Sequence, residues 1–223
     1  MAVPLADRPR RMLTVPGVYT PQHDTHILMR AMCREDIGPG TDVLDLGTGS
    51  GALALCAARM GARVMAVDIS RRAVLCARMN AALSGQRITA RRRDLSAPGM
   101  RYDLVVSNPP YVPAPGDRLP RHGEARTWDG GPDGRAVVDR VCASAAAALR
   151  PRGVLLMVHS GLCGPETTIQ RLGQAGLRAT VYDRELIPFG PVMRSRLAWL
   201  RRRGLVDEGQ DKEELVVIRA ERP

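Results

Sequence analysis

Residues Asp42-Val-Leu-Asp-Leu-Gly47-Thr-Gly49-Ser-Gly51 run from an apolar stretch through alternate glycines into the helical stretch Ala52 to Met60. No other segment limits the fold so tightly. A strand that turns at once into a helix gathers free backbone N–H groups at the helix N-terminus, and glycine lets a ligand approach that backbone closely. The expected fold class is α/β, with a mainly parallel sheet. The spacing alone leaves the ligand open, because with Ala52 in the third position it also fits the dinucleotide fingerprint. Asp45 argues for something else: a carboxylate just before the turn repels a pyrophosphate but suits the cationic amino group of a methionine moiety, as in S-adenosylmethionine.

Two further acids follow the same logic. Asp68 ends the apolar run Val64-Met-Ala-Val67, at about the spacing where an acidic residue accepts from ribose hydroxyls. Asp94 closes a third short run, Gln86 to Ala90 plus an arginine cluster, and is placed to accept from an adenine amino group. Each aspartate taken singly is equally a helix cap or turn residue; three acids after three successive expected strands make that coincidence much harder.

A fourth run, Asp103-Leu-Val-Val-Ser107, ends in Asn108-Pro109-Pro110-Tyr111. Each proline lacks a backbone donor and has φ fixed near about −65°, so the chain must leave the sheet as a rigid, extended turn with free carbonyls. The Asn108 oxygen, together with one of those carbonyls, can accept both hydrogens of an NH2 group. Tyr111 is then expected to cover the flat face of that group. An amide nitrogen held this way turns its electron density toward an incoming methyl group, an orientation effect worth several kcal/mol without a strong base. The expected chemistry is nitrogen methylation.

These residues resemble the HemK family of protein-glutamine N5-methyltransferases. Val18-Tyr-Thr-Pro-Gln-His-Asp24-Thr25 is similar to the Val-Tyr-x-Pro-x-x-Asp-Thr of the compact branch, which lacks the N-terminal helical domain. His122-Gly-Glu-Ala-Arg-Thr-Trp128-Asp-Gly-Gly-Pro-Asp-Gly134-Arg135 is similar to that branch's His-Gly-x-x-x-x-Trp-x-Gly-Gly-x-x-Gly-Arg. The resemblance runs from Val18 to the final strand, loosely in the last third. It implies a Rossmann-like class I methyltransferase fold with a seven-stranded, mostly parallel sheet, helices on both faces and an antiparallel last strand. It also implies that Thr25, Asp45, Gly47, Gly49, Gly51, Asp68, Asp94, Leu95 and Asn108 bind S-adenosylmethionine. Asn108, Pro109 and Tyr111 become the catalytic set, and Asn108, Pro109, Pro110, Tyr111 and Trp128 line the acceptor site. The implied acceptor is the glutamine of the Gly-Gly-Gln motif in a peptide chain release factor, an RNA-associated protein, so this chain is expected to meet nucleic acid only indirectly.

Two departures from the family matter. Asp45 stands where the compact branch more commonly has glutamate. Residues 184–212, with Pro188-Phe-Gly-Pro191 and an arginine-rich helix expected over Val192 to Arg203, form a variable insertion on the substrate side. Eukaryotic and archaeal members pair an edge strand with a small zinc-binding partner; arginines at the expected edge here disfavour that pairing, so the chain is expected to be stable alone.

Length and composition agree. A chain of 223 residues suits one methyltransferase domain over 1–223, with a loose arm at 1–13 and a cofactor lid at 14–36. Val138, Val141, Cys142, Ala145 and Leu149 keep helical spacing, Gly153 to Val158 reads as a buried strand, and Val216 to Arg219 as the last one. The formal charge is +10, nearly all of it arginine, with Lys212 the one lysine. Arg91 to Arg93 and Arg201 to Arg203 read as solvated faces, the first suited to an edge strand. Five cysteines without a CxxC pair read as buried reduced thiols rather than disulfides or a metal site. No apolar run approaches the roughly twenty residues of a membrane span and the first twelve residues lack a secretory signal, so a cytoplasmic place is expected. The alternatives are an adenine-N6 methyltransferase, which flips its base into a similar pocket, a small-molecule N-methyltransferase, and a cofactor-binding module without activity.

Overall fold

The computed structural model describes residues 12–95 and 99–223. One sheet of seven strands organises them, in the order β3-β2-β1-β4-β5-β7-β6. The strands are β1 (Asp42–Leu46), β2 (Arg63–Asp68), β3 (Thr89–Arg92), β4 (Tyr102–Ser107), β5 (Leu149–Ser160), β6 (Arg178–Pro188) and β7 (Lys212–Glu221). The helices are α1 (His23–Met32), α2 (Ala52–Arg59), α3 (Arg71–Leu83), α4 (Val138–Ala148), α5 (Pro165–Gln174) and α6 (Pro191–Arg202). Strands β1, β2, β3, β4 and β5 pair in parallel, while β7 runs antiparallel to both β5 and β6. This is the class I methyltransferase arrangement that the family resemblance implies.

Apolar runs explain the centre. Val43, Leu44, Val105, Val106, Leu155, Leu156, Val217 and Ile218 are fully buried, as strands covered on both faces require. Right-handed crossovers carry β1-α2-β2-α3-β3 one way along the sheet and β4-α4-β5 the other, so α2 and α3 fall on one face and α4 on the opposite one. Helix α1 packs beside α2, and α5 beside α4. The direction reverses between β1 and β4, and there the two strands end side by side: Leu46 is level with Ser107, whose hydroxyl donates to the Leu46 carbonyl at 2.8 Å. Open α/β sheets bind ligands in that crevice.

Several boundaries differ from the sequence reading, each for a local reason. Strand β3 occupies Thr89–Arg92, the later part of the expected run of Gln86 to Ala90 plus the arginine cluster, because its register follows β2 to its end, Asp68 opposite Arg92. As the edge strand it exposes Arg91 and Arg92, as expected of a charged edge. Leu149 opens β5 instead of closing α4; Arg150 precedes Pro151, which disfavours helical backbone there. Strand β7 is longer than Val216 to Arg219 because it is paired on both sides. Residues 184–188 of the expected insertion belong to β6 and Lys212 to β7, leaving α6 as its helical part.

The expected loose arm lies outside the described residues up to position 11, but its last residue is fixed. Leu13 donates to Asn80 Oδ1 at 2.8 Å and accepts from Asn80 Nδ2 at 2.9 Å. All five cysteines are free, yet Cys33 is exposed and Cys56 half-buried, so the expectation of burial holds for Cys76, Cys142 and Cys163 alone. No helix among the described residues is long and apolar enough to cross a membrane.

Candidate active site

The glycine turn after β1 folds back on β2, with Gly47 and Thr48 N–H both donating to the Val67 carbonyl at 2.9 and 3.0 Å. Gly47, Gly49 and Gly51 all have positive φ. At Gly51 a Cβ atom would lie 3.0 Å from that of Ala77, so glycine there lets α3 close against the turn. Asp68, at the end of β2, grips the turn: its Oδ2 accepts from Gly49 N–H at 3.0 Å and its Oδ1 from Ser70 N–H at 2.8 Å. Burial raises its pKa while these N–H groups oppose the rise.

Asp45 lies beneath the turn rather than at its surface. It is fully buried, and one oxygen accepts from the Thr48 hydroxyl at 2.6 Å and Ala54 N–H at 3.1 Å. The other oxygen has no partner. Burial pushes its carboxyl up to about 7.

A cavity of about 970 Å³ opens above the ends of β1, β2 and β4. Of the expected cofactor residues it is lined by Thr25, Gly47, Gly49, Asp68, Asp94, Leu95 and Asn108; Asp45 and Gly51 shape the turn from behind. Asp94 is exposed and paired with Arg140 at 2.6 Å. Pro16, Val18, Tyr19 and Pro21, from the segment before α1 expected to form a lid, also line the cavity.

Around Asn108 lies a web of contacts between distant segments. Asn108 Nδ2 donates to Thr25 Oγ1 at 3.3 Å. Pro110 lines the cavity, whereas Pro109 is buried. Tyr111, expected to cover the acceptor, turns inward: its hydroxyl donates to Asp24 Oδ2 at 3.1 Å, beside the Tyr19 hydroxyl, which donates to the same oxygen at 2.7 Å. Burial, then the Asp24 charge, raises both phenols. Glu213 at the start of β7 is buried nearby, and burial pushes it up to about 7.

Beyond the tetrapeptide, Val112 and Ala114 are zipped to the tryptophan loop by Val112 N–H to Trp128 O (2.7 Å), Gly130 N–H to Val112 O (2.9 Å) and Ala114 N–H to Gly131 O (2.9 Å). Trp128 packs against the core and its Nε1 is buried without a partner, so Thr127 and Asp129, not the indole, line the cavity. Arg196 of α6 clamps both strands of this zipper, donating to Pro113 O at 2.9 Å and pairing with Asp129 at 2.6 Å. His122 also lines the cavity, while His23 is exposed at the start of α1 and outside it.

Asp24, Tyr19, Asp129 and Arg196 escaped the sequence reading as site residues. The first two stand inside the quoted lid motif, which was their available signal; the pairing of Arg196 with Asp129 joins residues too far apart in sequence for spacing to reveal.

The family model of the methyltransferase small domain matches residues 10–118. A putative protein N5-glutamine methyltransferase of Methanocaldococcus jannaschii is 32% identical over 181 residues, which cover 80% of this chain and 90% of that protein. A release factor glutamine methyltransferase of Mycolicibacterium smegmatis is 37% identical over 163 residues, 68% of this chain; the match spans 57% of its length. Among solved structures, the chain resembles one from the E. cuniculi Mtq2–Trm112 complex, described as methylating the eRF1 termination factor, with a TM-score of 0.62, 23% identity and coverage of 93% of this chain and 99% of that one.

Proposed function

The chain belongs to the HemK family of protein-glutamine N5-methyltransferases, within the class I S-adenosylmethionine-dependent enzymes, and from that premise we propose that it methylates the glutamine amide of the Gly-Gly-Gln motif in a peptide chain release factor. The observation that carries this reading is the orientation of Asn108. Its Nδ2 donates to Thr25, which leaves Oδ1 to accept on a residue that lines the cavity. An acceptor oxygen is what an NH2-bearing substrate needs.

The cavity suits S-adenosylmethionine. Its volume leaves room for a cofactor and an acceptor side chain, and a Cβ at Gly47 would meet no atom within 4 Å, so that backbone is free to approach a ligand. In our reading Gly47 and Gly49 cradle the cofactor, Asp68 accepts from its ribose, Asp94 and Leu95 bound its adenine, and Thr25 closes the lid side. Asp45 acts from below, its unpartnered oxygen drawing the cofactor's ammonium toward the turn. When bound, the cofactor supplies an electrophilic methyl group on a sulfonium.

The chain's own residues do the rest by orientation. Asn108 Oδ1 and a main-chain carbonyl of the Pro109–Pro110 turn accept the two amide hydrogens, which turns the nitrogen's electron density into the cavity. The nitrogen gains one N–C bond and gives one proton to water. As positive charge develops on that nitrogen, the same two oxygens stabilise it in place. No side-chain base is required.

A small zinc-binding partner is not part of this reading. Pairing with the β3 edge would bring another chain against the exposed Arg91 and Arg92, so we take the chain to be stable alone. The test is incubation with labelled S-adenosylmethionine and a release factor, beside its Gly-Gly-Gln variant with alanine for glutamine, DNA, and small-molecule extract. Label is expected on the release factor and lost with the glutamine; label on DNA alone overturns the substrate.

A further inference from the structure

We propose that Asp24 is a positioning residue that fixes which way the Asn108 amide faces, acting through the Thr25 hydroxyl. The inference rests on the reading of Asn108 as the acceptor clamp and adds what holds the clamp in register.

An asparagine side chain is nearly symmetric in shape, and a half-turn about its last bond exchanges an acceptor for a donor. Only the group it meets selects one orientation. Asn108 meets Thr25 Oγ1, and a hydroxyl is itself ambivalent, able to donate or accept. The ambiguity is removed one residue further back. Thr25 Oγ1 donates to Asp24 Oδ1 at 3.2 Å, so its one hydrogen is spent and only lone pairs face Asn108. Asn108 must then present Nδ2 to Thr25 and Oδ1 to the cavity.

Asp24 is built to hold that role. It is buried, with 4% of its surface exposed, and in each of its hydrogen bonds it accepts. Oδ1 takes Thr25 N–H at 2.6 Å in addition to the hydroxyl; Oδ2 takes the Tyr19 hydroxyl from the lid and the Tyr111 hydroxyl from the turn after β4. The same carboxylate therefore joins the lid, the cofactor-side threonine and the acceptor turn. Asparagine at position 24 would keep the shape but replace one acceptor by a donor. The Thr25 hydroxyl could then turn toward Asn108, and the clamp would offer N–H groups to an N–H-bearing substrate.

The experiment compares wild type with Asp24→Asn, using whichever of release factor and DNA the wild type methylates, since either NH2 group needs the same oxygen. We expect kcat to fall by about 10²-fold, the penalty for a misoriented reacting group, while calorimetry shows S-adenosylmethionine affinity within about threefold. A wild-type kcat overturns the proposal. If Asp24→Asn does not fold, Thr25→Val, which removes the relay hydroxyl, is expected to show the same loss at saturating cofactor, and retained kcat there overturns it equally. An acceptor-independent readout separates this idea from the choice of substrate. The Asn108 side-chain amide should give one sharp NMR pair in wild type and exchange-broadened or doubled signals in Asp24→Asn; unchanged signals sink the proposal even if no acceptor is found.

Discussion

The glycine-turn side and the Asn108 side of the cleft, which we propose take cofactor and acceptor, share one cavity but are held by different kinds of contact. On the glycine-turn side, Gly47 to Gly51 and Asp68 lie at or just beyond the ends of consecutive strands and their bonds reach the neighbouring strand or turn, while Asp94 after β3 pairs with Arg140 of α4. On the acceptor side, Asn108 is tied to Thr25, Tyr111 to Asp24 and Pro113 to Arg196, separations of 83, 87 and 83 residues. The first half is specified by local backbone chemistry. The second exists only once the segment before α1, the tryptophan loop and α6 have docked, and local stability tends to be lower where so much depends on side-chain bridges.

Mutations should separate the halves cleanly. The largest effect is expected from Asn108→Ala, which removes the oriented acceptor oxygen: kcat should drop by about 10²–10³-fold, as for loss of one preorganised hydrogen-bonding group, with cofactor affinity in calorimetry nearly unchanged. Activity within a few-fold of wild type would break the clamp model. Asp68→Ala should do the reverse, weakening cofactor binding by about 10–100-fold through loss of charge-assisted hydrogen bonds, with kcat at saturating cofactor only mildly reduced. Unchanged affinity would remove Asp68 from the cofactor side.

Arg196→Ala probes whether α6 belongs to the acceptor half. Losing the half-buried pair with Asp129 should raise the acceptor KM by roughly tenfold, on the order of 1.4 kcal/mol, and leave cofactor affinity alone; equal effects on both would merge the two halves into one unit. The smallest effect is a matter of pH. Burial pushes the Asp45 carboxyl up to about 7, above the usual carboxylate range, so between that range and about 7 the folded protein retains a proton that the unfolded chain releases. Its contribution is complete below the unfolded pKa and is lost as pH rises through the folded one. Asp42 runs the other way: hydrogen bonds from Arg63 hold its pKa at about 2, so its contribution fades below the usual carboxylate range. In melting curves of the ligand-free protein, Asp45→Asn should flatten the decline between pH 4 and 7 and leave the acid limb intact. A decline of unchanged slope would show that Asp45 is not its source.

The same division explains what the sequence made legible. The turn Asp42–Gly51 and the acids at the ends of β2 and β3 are read from residues a few positions apart, and Gly47, Gly49, Asp68 and Asp94 all line the cavity. Tyr111 and Trp128 show where it runs out. Both are aromatic residues beside the acceptor, so they read as its walls, but Asp24 draws the Tyr111 hydroxyl inward and the core takes the Trp128 ring. Neither outcome is decided by its own neighbours in sequence. Gly134 shows the reverse case: a side chain there would collide with the Tyr111 carbonyl and Cys163 Sγ, a packing reason for a glycine that spacing marks only as part of a motif.

One feature of the sheet also bears on how the molecule is made. Strand β7 lies between β5 and β6, yet it is synthesised after both. Until the ribosome has released residues 212–221, the nascent chain carries two unsatisfied strand edges, including the apolar flank of β5, exposed to whatever else is in solution. A chain lacking that strand should therefore aggregate rather than keep the fold, because both β5 and β6 lose their pairing partner.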